Sequence, residues 1–494
     1  MLSNLENKLF NYVITNIFHI KLFFIHMLED RNNSNFKVLI TPIHSKSIEE
    51  YLSKNIKNIS SQKIAQLFAS CYRFTLETKI LYSLYNNEDA FIYSTNLPVM
   101  WLSQSCMQIY PYIKHCNNDK DLSKIIISIF NRILKYILLD PFSNAFVLKN
   151  TIASPCIGDI TFKKTKENQF VHGMSSEIWE RKFQLSSIIF PFYIMCKYYQ
   201  ITNDFSFISD LFFKSLIEVI KVIKNELRDT DEENCNDGPQ YFFQRKTNES
   251  FDTMHFGRGN PCKNCLLIKS YFRCSDDSCL FPYNIPENAL VCVTFRMLKD
   301  ILEKFQRNAK YNSLIVELEN ISNNLYKGIT KYGIKKDEET GEKYYVYEID
   351  GYGNYYFMDE PRYPSLLSLP FFGFCDYKDE IYINTRKRIL SHKNPYYIVG
   401  KYGTGESSAH SFRNYNGTLF TLMRGLTSSN QKEIEECLDL IIKSTNGFNY
   451  LHEFFDINDL KFYVNISFAY ANSFFCVLID KCLEEYPELL LNMK

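Results

Sequence analysis

The sequence predicts an all-α fold, a barrel of paired helices whose long functional loops gather at one end. Apolar residues recur at three- and four-residue steps in many segments, which is the pattern of helices with one buried face. Strand signals are few. The stretches between the helical segments are long and rich in Gly, Asn, Asp, Pro and Tyr, which is typical of loops.

The chain has 494 residues, and we expect a folded domain at residues 46–494 after an N-terminal extension at residues 1–45. The extension contains an apolar segment from Tyr12 to Leu28, interrupted by polar residues such as Asn16 and Lys21. A membrane-spanning helix needs about 20 mostly apolar residues, so we expect no stable membrane insertion. We interpret the segment as an amphipathic or disordered extension, and a degenerate signal or anchor is the alternative.

The predicted helical faces follow one another along the chain. They are Leu122-Ile126-Ile129-Ile133-Ile137, Ile208-Phe212-Leu216-Val219-Ile223, Leu290-Leu298-Ile301-Phe305, Leu314-Leu318-Ile321-Leu325, Ile434-Cys437-Leu438-Ile441 and Phe474-Leu478-Cys482. The first helix should end at Asp140-Pro141, because the proline ring blocks continuation. One hairpin is predicted, with strands from Lys343 to Tyr347 and from Tyr355 to Met358 around the glycine-containing turn at 350–354.

Charge and cysteine content limit the classes of partner. Lys plus Arg equal Asp plus Glu at 56 each, so no basic face is required and nucleic acid is not an expected partner. The 15 cysteines are scattered, which favours free thiols in a reducing compartment over a disulfide framework. Cys262-x-x-Cys265 admits a zinc site as the minor alternative. The thiols slightly favour the cytoplasm, with the secretory pathway as the other location.

Three carboxylates have neighbouring residues in the sequence that suit acid–base catalysis. Asp276 and Asp277 are adjacent, follow Arg273 and lie among aromatic residues, and Glu453 lies far down the chain. Hydrolysis of a glycosidic bond needs one acid that protonates the leaving oxygen and one carboxylate that activates water or attacks the anomeric carbon. The alternatives are a helix-capping role for the aspartate pair and an ordinary surface or ion-paired role for Glu453.

Several sequence blocks, taken in order, resemble glycoside hydrolase family 125, the exo-acting α-1,6-mannosidases, which include fungal proteins described as meiotically up-regulated. The blocks are Leu97–Leu102, Asp140–Phe146, Trp179–Phe183, Gly259–Pro261, Phe272–Asp277, Asp350–Asn354, Pro364–Pro370, Asn394–Tyr397, Met423–Ser428, His452-Glu453 and Ala471–Ser473. They cover the chain from about residue 63 to the C-terminus. The resemblance implies an (α/α)6 barrel, an inverting and metal-independent mechanism, and no cofactor.

The resemblance also implies roles for particular residues. The general acid maps onto Asp276 or Asp277, with Asp276 slightly favoured, and the general base maps onto Glu453. The other aspartate would cap the following helix. The residues implied to bind substrate are Trp101, Gln104, Asn260, Arg273, His410 and Asn472. Core packing is the alternative for Trp101, and an ion pair with the aspartates is the alternative for Arg273. The expected partner is a mannose-containing oligosaccharide or N-glycan, and the expected state is a monomer.

The sequence departs from the family pattern at several positions of the implied pocket. Ser103 and Gln104 stand where the family has Arg-Asp, Asn96 and Ser186 stand where it has Asp, Gly417-Thr418 replaces Trp-Pro, Asn465-Ile466-Ser467 replaces Arg-Pro-Trp, and Asp359-Glu360-Pro361-Arg362 replaces Asp-Asp-Ala-Asn. Two hypotheses follow. The protein is either an exo-glycosidase with an altered sugar pocket or a non-catalytic relative that binds glycan or a protein partner through the former cleft.

Overall fold

The computed structural model describes residues 38–39, 42–83, 89–94, 97–148, 152–165, 169–236, 238–305 and 311–493. Most of the predicted N-terminal extension, and Asn96, lie outside the described residues. Val38–Leu39 (β1) pairs with a strand at Ile80–Ser83 (β2), so the end of the stretch assigned to the extension contacts the folded domain.

The fold is helical, as the sequence predicts. In chain order the helices are Lys46–Asn55 (α1), Gln62–Thr78 (α2), Leu102–Ile109 (α3), Lys120–Leu139 (α4), Leu185–Thr202 (α5), Asp210–Glu226 (α6), Thr230–Cys235 (α7), Ile285–Phe305 (α8), Asn312–Tyr332 (α9), Glu380–Ile389 (α10), Thr418–Leu426 (α11), Gln431–Ser444 (α12), Ala469–Glu485 (α13) and Pro487–Asn492 (α14). Short 3-10 turns lie at Ile56–Asn58, Tyr110–His115, Pro155–Gly158, Ser250–Asp252 and His255–Gly257.

The helices form an (α/α)6 barrel with an inner and an outer layer. Helices α8, α5, α3, α13 and α11 pack against one another in that order and form the inner layer. Outer helices cover them: α9 packs on α8, α2 on α13, and α12 on α11. One large apolar cluster fills the space between the layers, which is where the predicted helical faces point.

Local sequence sets the helix boundaries. Asp119 accepts a hydrogen bond from the backbone N–H of Leu122 and caps the start of α4. Helix α4 ends at Leu139, and Asp140 is already extended, so the stop predicted at Asp140-Pro141 is confirmed. Helix α5 is apolar on nearly all sides because it lies between neighbours, and for that reason it shows no amphipathic stripe.

Short strands lie between the helices, and within the described residues they form seven small sheets of two or three strands. The remaining strands are Ala90–Ile92 (β3), Val99–Trp101 (β4), Ala145–Val147 (β5), Ile160–Lys164 (β6), Phe170–His172 (β7), Ile178–Glu180 (β8), Phe242–Gln244 (β9), Tyr283–Asn284 (β10), Ile334–Lys336 (β11), Lys343–Tyr345 (β12), Glu348–Ile349 (β13), Tyr355–Tyr356 (β14), Tyr397–Gly400 (β15), Gly403–Glu406 (β16), Tyr415–Gly417 (β17), Phe454–Asp456 (β18) and Tyr463–Val464 (β19).

Of the hairpin predicted around 350–354, the turn and the second strand are confirmed. Strand β14 pairs across this turn with β13, which lies after the predicted first strand. Strand β12, which the prediction placed in the same hairpin, pairs instead with β11. Within the described residues, no helix combines the length and the apolarity needed to cross a bilayer.

The strands matter because they place loops at one end of the barrel. Strands β4, β10 and β17 run directly into the inner helices α3, α8 and α11. Strand β8 precedes α5, and β19 precedes α13. The loops at the N-terminal ends of the inner helices therefore meet at the same end, and they carry the residues described below.

Candidate active site

Asp276 lies in a tight hairpin, residues Phe272–Ser278, which we call the acid hairpin. Phe272 and Ser278 form a β-bridge, the N–H of Arg273 donates to the carbonyl of Asp277 at 2.8 Å, and the N–H of Asp276 donates to the carbonyl of Arg273 at 2.9 Å. This turn holds Asp276 at φ 72°, a left-handed conformation that is uncommon for residues other than glycine. The hairpin closes seven residues before α8 begins.

The Asp276 carboxyl is half-buried and held by amides. Asn144 Nδ2 donates to Asp276 Oδ1 at 2.7 Å, and the amide of Gln184 donates to the same oxygen. Removal from water, together with the negative charge of Glu180, raises the pKa of Asp276 to about 7. Asp276 therefore keeps its proton up to near-neutral pH, as a general acid must.

A buried ionic network supports the acid hairpin from behind. Lys182 Nζ donates to the backbone carbonyl of Asp276 at 2.7 Å and to Asp252 at 2.6 Å. Arg245 lies 2.9 Å from Glu180 and 2.9 Å from Asp252. Glu180 and Lys182 thus belong to an internal salt-bridge network. Arg245 belongs to none of the recognised blocks, so its part in the network could not be predicted from the sequence.

Asp277 has different surroundings from its neighbour. It is 2 % exposed, and His410 Nδ1 lies 3.0 Å from both carboxylate oxygens. Partial burial disfavours the imidazolium, but the hydrogen bond and charge of Asp277 outweigh that effect and raise the pKa of His410. The predicted capping role is wrong for both aspartates, because Asn284 Oδ1 accepts the Glu287 N–H in the first turn of α8.

Glu453 is the second candidate catalytic group, and both of its oxygens have partners. Arg362 forms an ion pair with Oε1, and Asn465 Nδ2 donates to Oε2 at 2.5 Å. The Arg362 guanidinium lies 5.1 Å from the ring centre of Phe454 and 5.3 Å from that of Phe468. Arg362 and Asn465 thus fix the Glu453 carboxyl group in one orientation, and both stand where the family pattern has different side chains.

Contacts join the acid hairpin to Glu453. The His410 imidazole, bound to Asp277, lies edge-on at 5.9 Å from the ring of Phe454, the residue that follows Glu453. The N–H of Thr418 donates to the backbone carbonyl of Glu453 at 3.0 Å. Asp277 and the Glu453 segment are therefore connected through His410 and Phe454.

Two departures from the family pattern compensate each other. A Cβ atom added to Gly417 would lie 2.3 Å from Cβ of Pro361. The proline occupies space that a side chain at position 417 would need, so the loss of an aromatic residue at 417 and the gain of Pro361 are one packing change. The next residue, Arg362, is the one that reaches Glu453.

A third departure from the family pattern, at Ser186, is also accompanied by a contact with a neighbouring side chain. Ser186, which stands where the family has Asp, donates through its hydroxyl to Glu287 Oε1 at 2.6 Å. A carboxyl group is therefore still present at this point, carried by α8 instead of α5. Burial raises the pKa of Glu287 to about 7.

Further buried carboxyl groups lie behind the acid hairpin. Glu360 accepts hydrogen bonds from Ser275 and Tyr347, both at 2.9 Å, and burial raises its pKa. Burial also raises the pKa of Asp359 to about 8. Arg273 Nε donates to Glu348 at 2.6 Å, so Arg273 pairs with this carboxylate and not with the aspartates of the hairpin.

The remaining predicted substrate residues lie in different surroundings. Trp101 packs against a small cluster that includes Val99 and Trp179. Gln104 lies on α3, and its Oε1 is buried without a partner among the described residues. Asn260 donates to the carbonyl of Leu280 at 2.7 Å. Asn472 is fully buried and accepts from the N–H of Leu451 at 2.8 Å, which holds the loop before β18.

Among the described residues, the cysteines and other candidate metal ligands do not form a metal-binding site. Cys262 and Cys265 are buried and free. Within the described part of the chain, no group of three or more His, Cys, Asp or Glu side chains could hold a metal ion.

Comparison with known proteins gives consistent matches. The sequence profile of the metal-independent α-mannosidases, glycoside hydrolase family 125, matches residues 61–480. The chain is 31 % identical over 455 residues to the meiotically up-regulated gene 157 protein of Schizosaccharomyces pombe, a match that covers 90 % of this chain and 87 % of the relative.

Solved structures agree with the sequence match. A metal-independent α-mannosidase of Streptococcus pneumoniae, in a non-productive complex with α-1,6-mannobiose, is 28 % identical and superposes with a TM-score of 0.82, covering 90 % of this chain and all of that one. A bacterial glucoamylase bound to acarbose shares the fold at 12 % identity and a TM-score of 0.50, over 89 % of this chain and 59 % of that one. The chain belongs to glycoside hydrolase family 125, the metal-independent α-mannosidases.

Proposed function

We propose that the protein hydrolyses terminal α-linked mannose from an oligosaccharide, inverts the configuration at the anomeric carbon, and prefers α-1,6 linkages. One observation carries the proposal. Two carboxyl groups have opposite surroundings, since burial lets Asp276 retain its proton near neutral pH while Glu453 faces the positive charge of Arg362. An inverting glycosidase needs this division between a protonated acid and an ionised base.

In the proposed mechanism, each of the two carboxyl groups has one role. Asp276 donates its proton to the glycosidic oxygen as that bond breaks, and Glu453 takes a proton from the water that attacks the anomeric carbon from the opposite face. The hydrogen bonds from Arg362 and Asn465 use one acceptor position on each Glu453 oxygen, and a carboxylate offers about four, so acceptor positions remain for water. The mannobiose held by the S. pneumoniae relative supports the choice of linkage.

A second candidate function follows from Arg362. This side chain is 5 % exposed and pairs with the carboxylate that would activate water. A protein that binds mannosides through this cleft without cleaving them would hold Glu453 in the same way. In that case the carboxylate–guanidinium pair would serve as a fixed part of the binding surface.

Hydrolysis of α-1,6-mannobiose, followed by proton NMR, separates the two functions. We expect β-mannose as the first anomer released, no turnover by Glu453→Gln, and normal turnover by Glu435→Gln, a matched change of an exposed residue on α12. The α-1,2 and α-1,3 isomers serve as comparison substrates. Absence of turnover on every α-mannoside, with binding still detected by calorimetry, would establish the binding protein instead.

A further inference from the structure

A cavity of about 530 Å³ lies next to the acid hairpin, within the roughly 300–1,000 Å³ typical of small-ligand sites. Its walls include Arg273 and Ser278 of the hairpin, and Ala409, the neighbour of His410. Neither Asp276 nor Glu453 lines it. A sugar in this cavity would therefore lie beside the acid, outside the space between acid and base.

The inner wall of the cavity combines one buried cation with aromatic rings. Arg273 is 4 % exposed, and its guanidinium lies 5.9 Å from the ring centre of Tyr356, which also lines the cavity together with Tyr396. Among the described residues, the hydrogen bond of Arg273 goes through Nε to Glu348. The two terminal amino groups remain available to a ligand, and hydroxyl groups are acceptors that suit them.

An exposed aromatic side chain in a strained conformation lies beside His255, one of the residues that line the cavity. Phe256 is 78 % exposed and has φ 47°, a left-handed conformation that is an outlier for a bulky residue. Its ring lies 4.3 Å from the imidazole of His255, which lines the cavity. Leu280, also at the cavity, is 45 % exposed.

Packing holds Phe256 in this position. At the next residue, Gly257, an added Cβ atom would lie 2.2 Å from the ring of Phe242, so the turn is pressed against β9. The N–H of Gly257 also donates to the carbonyl of Met254 at 3.0 Å. The fixed turn exposes an apolar ring next to a residue that lines the cavity, at a cost in backbone strain. Such strain persists where the surrounding structure enforces it, and it concentrates at ligand sites.

We propose that this cavity binds the leaving-group sugars of an α-mannosyl oligosaccharide and that Phe256 is the platform on which one of these sugars stacks. A pyranose ring has an apolar C–H face, which suits the Phe256 ring, and an edge of hydroxyl groups, which suits Arg273. Since the bond to be cleaved lies between Asp276 and Glu453, a sugar in this cavity belongs to the part of the substrate beyond that bond. This inference rests on the proposed function.

The test measures affinity for a short and a long ligand. Calorimetry with the full-length Glu453→Gln protein, for which no turnover is expected, compares α-1,6-mannobiose with α-1,6-mannotetraose. We expect tighter binding of the tetrasaccharide, and we expect Phe256→Gly in the same background to reduce that preference about tenfold, as for truncation of an aromatic hot-spot residue. Phe256→Trp, which keeps a ring, should retain it.

Two controls separate binding from folding. Glycine adopts positive φ without the steric cost that phenylalanine pays, so Phe256→Gly should unfold at the same temperature as the parent or higher. Phe170→Ala removes another exposed ring, 56 % exposed on β7, and should leave both affinities unchanged.

The outcomes separate this inference from the proposed function. Equal affinity for the two ligands, or an unchanged preference in Phe256→Gly, would overturn the leaving-group site even if the wild-type protein hydrolyses mannosides. The protein could cleave no mannoside and still bind the tetrasaccharide more tightly than the disaccharide in a way that depends on Phe256. That result would support the leaving-group site and refute the proposed hydrolysis.

Discussion

Asp276 and Asp277 are adjacent in sequence, but their side chains have different surroundings and different chemistry. Asp276 is half-buried, accepts hydrogen bonds from amides, and has a pKa raised to about 7. Asp277 is 2 % exposed and faces His410. A general acid must reach the substrate and carry a proton, so we propose Asp276 as the acid and Asp277 as a positioning residue that acts through His410.

This assignment predicts how Asp276→Asn depends on the leaving group. With natural mannosides we expect kcat to fall by about 100- to 10,000-fold, because the poor leaving group must be protonated. With 2,4-dinitrophenyl α-mannoside the loss should be small, since that leaving group needs no proton. Wild-type activity on natural mannosides should decline as pH rises through about 7, where Asp276 loses its proton. Steady-state kinetics on both substrates measure these effects.

Asp277→Asn is the matched comparison. It should lower activity on both substrates by a similar factor, because it disturbs His410 and not the proton that the leaving group receives. Leaving-group dependence in Asp277→Asn, with none in Asp276→Asn, would reverse the two roles.

At the scale of elements, the site is assembled where short strands lead into the inner helices. Asp276 precedes α8, Gln184 precedes α5, and Glu453 and Asn465 precede α13. Changes in one loop therefore need matching changes in another. Gly417 at the end of β17 and Pro361 in the loop after β14 show this dependence, because the proline fills the space beside the glycine.

The Gly417–Pro361 contact predicts non-additive effects on stability. Gly417→Ala should lower the free energy of unfolding by about 1–3 kcal/mol, since the new methyl group collides with the proline. Pro361→Gly removes the colliding atoms, so the double variant should recover part of the loss in a double-mutant cycle measured by urea denaturation. Gly158→Ala, where an added Cβ has no neighbour within 4 Å, is the control and should be nearly neutral. Strict additivity would show that the two residues do not interact.

For the whole molecule, the buried carboxyl groups link stability to pH. Burial raises the pKa of Glu287 to about 7 and that of Asp359 to about 8. The folded protein therefore binds these protons more tightly than the unfolded chain does. Their contribution to stability is complete below the unfolded pKa of about 4 and is lost as pH rises through about 7 to 8.

Glu287→Gln tests this linkage without removing the hydrogen-bond acceptor for Ser186. The variant and the wild type should have similar stability near pH 4, and the variant should gain up to about 3 kcal/mol relative to the wild type by pH 8, since amides do not ionise. Thermal unfolding across this pH range gives the difference. Glu435→Gln, an exposed change, should show no such trend. A difference that is independent of pH would mean that Glu287 does not titrate in this range.

Much of the fold could be predicted because helical periodicity is a local signal. The apolar faces of α4, α6, α8, α9, α12 and α13 and the stop at Asp140-Pro141 all follow from spacing along the chain. The inner helix α5 could not be predicted in this way, because a helix buried on nearly every side has no polar face to reveal its period. The short strands also escaped prediction, since two or three residues carry too little pattern.

The sequence by itself determined the helical class, the family resemblance and the three carboxylates, because each is carried by residues close together or by blocks in order. Only the tertiary structure decided that Asp276 and Asp277 have different surroundings, that Arg362 pairs with Glu453, and that Glu287 brings a carboxyl group to Ser186. These partners are 91 and 101 residues apart in the chain. A side chain's pKa and partners depend on what folding packs around it, and that information is not present in the residues next to it.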